Sequence, residues 1–158
     1  MCSHPGRTEK HALKCELAGE VLHSFGSLRL QVTGWSMLPA VWPGDTLELE
    51  WADRHELSTG DIVLFGRDRR LFAHRIVKNS ERILQTRGDA LAYIDPVVAE
   101  NELLGRVTCI VRAGKRIRPS KRLSVTQRAV AGIVRSSDLA ARVIVGMHGL
   151  LHNNASQS

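Results

Sequence analysis

Ser36 lies in Thr33-Gly34-Trp35-Ser36-Met37-Leu38-Pro39, and His74 follows 38 residues later in Phe72-Ala73-His74-Arg75-Ile76. A hydroxyl nucleophile needs a base within hydrogen-bond reach, and imidazole suits that work near neutral pH. Gly34 permits a tight backbone approach and Pro39 stops regular structure from continuing. Ser36 is therefore expected on a turn, its hydroxyl at a surface and neighbouring backbone N–H groups free to hold an oxyanion. Gly34, Trp35 and Met37 are the candidates for oxyanion support or for a substrate cleft, and Leu38 with Met37 could line that cleft for an extended peptide. The apolar neighbours of His74 suit the neutral imidazole that a base must be. The histidines at 4, 11, 23, 55, 148 and 152 have no comparable context. A third group usually fixes the tautomer of such a base. Asp89 and Asp95, within Thr86-Arg87-Gly88-Asp89-Ala90-Leu91-Ala92-Tyr93-Ile94-Asp95-Pro96, are the candidates. Either could instead close a turn, and residue types alone do not rank them.

These residues must be positioned by the elements around them. Leu13, Leu17, Val21 and Phe25 recur every fourth position and predict a helix over 9–25, stopped by Gly26. Residues 1–8 read as disordered. From 28 to 112 the period changes to two. Leu28, Leu30 and Val32, then Leu47 and Leu49, alternate with polar residues, and apolar runs follow at 62–65, 71–77, 82–85 and 103–111. Turn signals separate them at Pro43-Gly44-Asp45, Thr59-Gly60-Asp61, Gly66-Arg67-Asp68, Asn79-Ser80 and Arg87-Gly88-Asp89. Many short strands without intervening helices predict a mainly β fold, a compact barrel or sandwich. Residues 113–122 read as a basic linker. Residues 123–158 read as a helical extension with apolar positions from Leu123 to Leu150, in which Ser136-Ser137-Asp138 could cap a second helix.

The chain has 158 residues, enough for one domain with modest extensions. Its three cysteines, Cys2, Cys15 and Cys109, form neither a metal-like pair nor a disulfide framework. No metal or cofactor is expected, and a reducing compartment is the easier reading. With 22 Lys and Arg against 16 Asp and Glu, the formal net charge is +6. Arg112, Lys115, Arg116, Arg118, Lys121 and Arg122 fall within eleven residues, a run that would attract phosphates. No recognised binding motif or interleaved aromatic accompanies the run, so nucleic acid is not the expected partner. No signal peptide and no apolar stretch of membrane-spanning length is visible. The expected location is cytoplasmic or peripheral to a membrane.

The ordered motifs resemble a known family. Gly34-x-Ser36-Met37-x-Pro39, Gly44-Asp45, Gly60-Asp61-Ile62-Val63, His74-Arg75-Ile76 and Thr86-Arg87-Gly88-Asp89-Ala90 with a later Asp95 resemble the type I signal peptidases. The match is closest to the archaeal, endoplasmic-reticulum and sporulation branch, which uses histidine where the ordinary bacterial branch uses lysine. The self-cleaving SOS repressors share that fold. The resemblance covers residues 28–112. It implies a mostly β fold, Ser36 as nucleophile, His74 as general base, an acyl-enzyme at Ser36 and a peptide or protein substrate. In the histidine branch the orienting carboxylate follows the Gly-Asp by a short interval. Asp95, six residues after Asp89, is therefore preferred as orienter, with Asp89 as a structural or supporting partner. Gly44, Asp45, Gly60 and Asp61 would be turn positions.

Three departures stand beside the resemblance. Signal peptidases carry a membrane anchor and this chain shows none. Many place a hydroxyl side chain two residues before the nucleophile, where Gly34 stands here. The repressors carry a DNA-binding domain and an internal Ala-Gly scissile bond, whereas Ala18-Gly19 falls inside the expected N-terminal helix. An alternative is a peptidase-fold binding module without turnover. Another is a peripheral membrane or nucleic-acid-associated protein acting through its basic C-terminal region. There Arg128, Arg135 and Arg142 recur every seven residues near one helical face, for packing against a partner or a membrane surface.

Overall fold

The computed structural model describes residues 5–136, with side chains from Leu13 onward. Helix α1 spans Pro5–Phe25 and helix α2 spans Val125–Ser136. Between them run β1 (Ser27–Gln31), β2 (Thr46–Glu50), β3 (Ile62–Arg67), β4 (Arg70–Ser80), β5 (Ile83–Arg87), β6 (Leu103–Arg112) and β7 (Lys115–Ile117). The fold is mainly β. All seven strands belong to one antiparallel sheet in the order β1-β2-β6-β3-β4-β5, with β7 paired to β6. Among the described residues no helix is long and apolar enough to cross a membrane.

Strand β3 lies inside the sheet and is covered on both faces, which is why Ile62-Val63-Leu64-Phe65 reads as an unbroken apolar run. Ile62 and Leu64 enter a core with Leu22 of α1, Met37, Val41, Leu47 and Val107. Val63 and Phe65 enter a second core with Ala52, Leu57, Ile76, Leu84 and Val98. One face is thus closed by α1 and the Ser36 turn, the other by the segments around 52–57 and 98.

Helix α1 begins at Pro5, earlier than the expected disordered stretch allows. It stops where Gly26 adopts φ 72° and its N–H reaches the Leu22 carbonyl at 2.9 Å. Its inward face is not the expected one. Ala18 and Leu22 are buried, whereas Leu13, Leu17 and Phe25 are exposed. The helix carries apolar residues on two sides, so the regular four-residue stripe selected the wrong one.

The expected linker at 113–122 begins as a hairpin. Ala113 (φ 46°) and Gly114 (φ 76°) make a two-residue turn of left-handed backbone, which matches the strand twist and returns the chain as β7. The turn expected at Gly66-Arg67-Asp68 lies one residue later, since Gly66 and Arg67 complete β3 and Asp68 and Arg69 have positive φ. Asn79-Ser80 likewise completes β4.

Much of the basic run is neutralised within the fold. Arg112 binds Asp45 and the Ala40 carbonyl, Arg116 forks onto Glu48, and Lys121 lies 3.3 Å from Asp61. Glu48 is held below the usual carboxylate range first by its bond from Arg116, against a smaller cost of burial, and then by its bond from Arg29. The expected phosphate-attracting patch is correspondingly reduced to Lys115, Arg118 and Arg122.

Helix α2 is capped by Ser124, whose hydroxyl accepts from Gln127 N–H while the Gln127 side chain accepts from Ser124 N–H. Ala131 and Val134 are buried, and Val134 and Val130 pack with Leu38, Ala90 and Trp42. The described part of the extension therefore packs on the β domain, and Arg135 donates to the Asp89 carbonyl at 3.0 Å. The expected apolar positions from residue 137 to Leu150, Arg142 and the cap at Ser137-Asp138 lie outside the described residues.

Candidate active site

Strand β4 carries His74 and Arg75 side by side. Adjacent strand residues face opposite sides of a sheet, so the two groups meet different partners. His74 Nδ1 lies 2.7 Å from Asp95 Oδ2, and His74 Nε2 lies 3.0 Å from Ser36 Oγ. Arg75 turns to Asp89 instead, with a two-pronged pair at 2.8 Å on both prongs. The four residues expected at the site thus separate into a Ser36–His74–Asp95 chain and an Arg75–Asp89 ion pair.

The polarity of the chain follows from donor inventory. An ionised carboxylate only accepts, so Nδ1 carries the proton and donates to Asp95. In neutral imidazole Nε2 then accepts, and the Ser36 hydroxyl donates to it. Asp95 Oδ2 takes a second bond at 2.7 Å, from the hydroxyl of the fully buried Thr86. Burial raises the proton affinity of Asp95, but the bonds from His74 and Thr86 outweigh it, and the carboxyl sits below its ordinary value of 3.8. Its residue type alone does not mark Thr86 for this role. Its signal was its place in Thr86-Arg87-Gly88-Asp89-Ala90, on the strand beside β4.

His74 is 3% exposed. Phe72, two residues earlier on the same face of β4, and Phe65 of β3 flank its ring, with centroids 5.8 and 5.9 Å away. The imidazole is confined by aromatic edges and tied at both nitrogens.

The Ser36 turn is fixed from behind. Leu38 N–H bonds the Trp35 carbonyl at 3.1 Å and Val41 N–H bonds Met37 at 3.0 Å. Met37 and Leu38 are buried anchors. Leu38 enters the cluster under α2 and does not line a cleft, contrary to expectation. Ala90 N–H bonds the Ser36 carbonyl at 2.9 Å. The N–H groups of Ser36 and Met37 donate to no acceptor among the described residues.

Gly88 has no room for a side chain, because an added Cβ would stand 2.6 Å from the Ser36 carbonyl oxygen and 3.0 Å from Leu91. Gly88→Ala is expected to push the Ser36 turn off His74 and to lower kcat/KM about 100-fold, as misplacement by an ångström does. Circular dichroism and a thermal melt alongside the assay will separate this from unfolding. At Gly34, by contrast, an added Cβ would meet nothing within 4 Å. The expected close backbone approach there is not what the fold uses.

The Gly-Asp pairs at 44–45 and 60–61 are one device used twice. Each glycine has φ near 95° (94° and 97°), and each aspartate accepts from the N–H three residues before it, Trp42 or Ser58. Asp89 differs. It is buried and holds Arg75, which also donates to the carbonyls of Gly60 and Ser120. Arg75→Met would leave a buried carboxylate unpaired and is expected to cost roughly 3–5 kcal/mol of unfolding free energy in a urea titration.

A cavity of about 430 Å³ opens beside Ser36. Gly34 and Met37 line it, and Trp35 does not. Two backbone segments also line it, Leu30–Gly34 at the end of β1 and Arg70–Ala73 at the start of β4. Each has an unpaired edge among the described residues, since β1 pairs only with β2, and β5 pairs with β4 only from Arg75 onward. Unpaired strand edges are templates for an added strand.

Comparison with family models, with curated proteins and with solved structures found no match to this chain. A functional reading therefore rests on the residues and their geometry.

Proposed function

We propose that this protein is a serine endopeptidase that binds an extended peptide beside Ser36 and cuts it through Ser36, His74 and Asp95. The observation that carries the reading is the unbroken chain from the Ser36 hydroxyl through both imidazole nitrogens to a buried carboxylate, at the mouth of an apolar cavity. The resemblance of the motifs to the histidine branch of the type I signal peptidases supports it from the sequence side.

Ser36 Oγ attacks the scissile carbonyl carbon as His74 Nε2 takes its proton. Asp95 stabilises the imidazolium that forms and holds the ring in place. The carbonyl oxygen becomes an oxyanion, for which the unoccupied N–H groups of Ser36 and Met37 are the available donors. His74 returns the proton to the leaving amine as the C–N bond breaks, leaving an ester on Ser36. Water, deprotonated by His74, then attacks the ester and restores the serine hydroxyl. The substrate lies as an added strand along the free edges of β1 and β4, with small or aliphatic side chains entering the cavity.

The experiment is mass spectrometry after exposure to a serine-reactive phosphonate, comparing the unaltered chain with Ser36→Ala and His74→Ala. One adduct on the unaltered chain, mapped to Ser36 and missing from both variants, is the expected result. Full labelling of His74→Ala would overturn the activated serine.

A further inference from the structure

The cavity beside Ser36 is apolar over most of its lining, but Lys14 of α1 and Arg70 at the start of β4 also line it. The fold brings both to one cavity. Cys15 packs against Gly66, where an added Cβ would lie 4.0 Å from its Sγ, and Gly66 pairs with Leu71 across the β3–β4 hairpin. Helix α1 therefore crosses the hairpin at the level where β4 begins. Among the described residues, neither the Lys14 nor the Arg70 side chain makes an ion pair or hydrogen bond, and no carboxylate lines the cavity. The acids nearest in sequence, Glu16 on α1 and Asp68 in the hairpin turn, are not part of the lining. Two cations with no partner among the described residues, at one apolar groove, favour an anionic occupant and speed its arrival.

Arg70 stands four residues before His74 on one strand, about 13 Å along it at ~3.3 Å per residue. A peptide extended along that edge, with its scissile carbonyl at Ser36, would bring a side chain about four residues from the cut to Arg70. We propose that the groove selects acidic peptides, holding an aspartate or glutamate about four residues from the scissile bond between Lys14 and Arg70, with aliphatic residues between. This inference rests on Ser36 being the nucleophile, because that fixes the peptide's register.

The test uses the full chain and fluorescein-labelled decapeptides of alanine and leucine carrying a single Glu, Gln or Lys walked along the sequence. Binding is measured by anisotropy on Ser36→Ala, and cleavage by mass spectrometry on the unaltered chain. Glu peptides are expected to bind about tenfold more tightly than Lys peptides at low ionic strength, since two exposed pairs contribute modestly. The gap should nearly close at about 0.5 M salt. Charge reversal at both positions, Lys14→Glu with Arg70→Glu, should invert the preference, and cuts by the unaltered chain should cluster about four residues from the Glu. Equal binding of Glu and Lys peptides, or a preference unmoved by charge reversal, overturns the proposal. Cleavage of Glu and Lys peptides at equal kcat/KM overturns it while leaving the peptidase reading standing. Charge-selective binding with no cleavage of any peptide removes the peptidase reading and with it the register from a scissile bond, keeping only the acidic preference.

Discussion

Ser36→Ala is expected to lower peptide turnover by roughly a millionfold, to what backbone N–H groups and binding alone provide. The fold should survive. The lost bond from the part-buried hydroxyl to His74 contributes about 1 kcal/mol, so the melting temperature should move by only a few degrees. His74→Ala should lose a similar factor, and the double variant should be no worse than either alone. That non-additivity is the signature of groups acting as one unit. The substrate for the assay is a peptide library read by mass spectrometry, which presupposes no cleavage sequence. Turnover in Ser36→Ala equal to that of the unaltered chain would assign the activity elsewhere. Loss in Ser36→Ala with additive further loss in the double variant would separate serine from histidine and remove the acyl-enzyme mechanism.

The mainly β fold was legible because most strands keep one face on a core. Leu47 and Leu49 alternate with Thr46, Glu48 and Glu50 and are buried while those neighbours are less so. Strand β3 was legible for another reason, as a run buried on both faces. Strand β7 was not legible. Lys115-Arg116-Ile117 is exposed throughout, so no burial pattern marks it, and its turn uses Ala113-Gly114 instead of the usual Asn-Gly or Asp-Gly. Charge hid it further, because Arg112 and Arg116 look like surface cations until Asp45 and Glu48 appear opposite them. Helix α1 failed in its face. Periodicity reports that a helix has an apolar side, and α1 has two, of which packing against β1, β4 and β6 selects that of Ala18 and Leu22.

At the site, Ser36, His74 and Asp95 were legible as candidates by residue type, and the distances that join them were not. What separates Asp95 from Asp89 is the alternation of β4. His74 and Arg75 are neighbours on opposite faces, so one carboxylate cannot serve both, and Arg75 takes Asp89 with two prongs. The guanidinium is the missing clue. A buried aspartate beside an available arginine is more readily an ion-pair partner than an orienter of histidine. Thr86 was not legible because a threonine in a strand is ordinary, and only its contact with Asp95 Oδ2 gives it a role.

Asp95→Asn is expected to lower kcat/KM by about four orders of magnitude, through the charge and not through the fold. As His74 accepts the serine proton, the imidazolium needs a negative partner at Nδ1, and the carboxamide offers only a dipole. The amide also gives Nδ1 a donor or an acceptor according to its rotation, so the tautomer is no longer fixed. The pH dependence separates this effect from loss of structure. Asp95 is held below its ordinary 3.8, so it stays ionised through the neutral range. The sign for stability follows from the same shift. A lowered folded value means that the carboxylate's contribution is fully present above the ordinary carboxylate range and is lost as pH falls through the folded value. The stability gap between the unaltered chain and Asp95→Asn should therefore be widest at neutral pH and shrink below about pH 4. Urea titrations at neutral and acidic pH read the gap, and phosphonate labelling of Ser36 reads the chemistry. An Asp95→Asn variant within tenfold of full activity, beside a folded but inactive Asp89→Asn, would transfer the orienting role to Asp89.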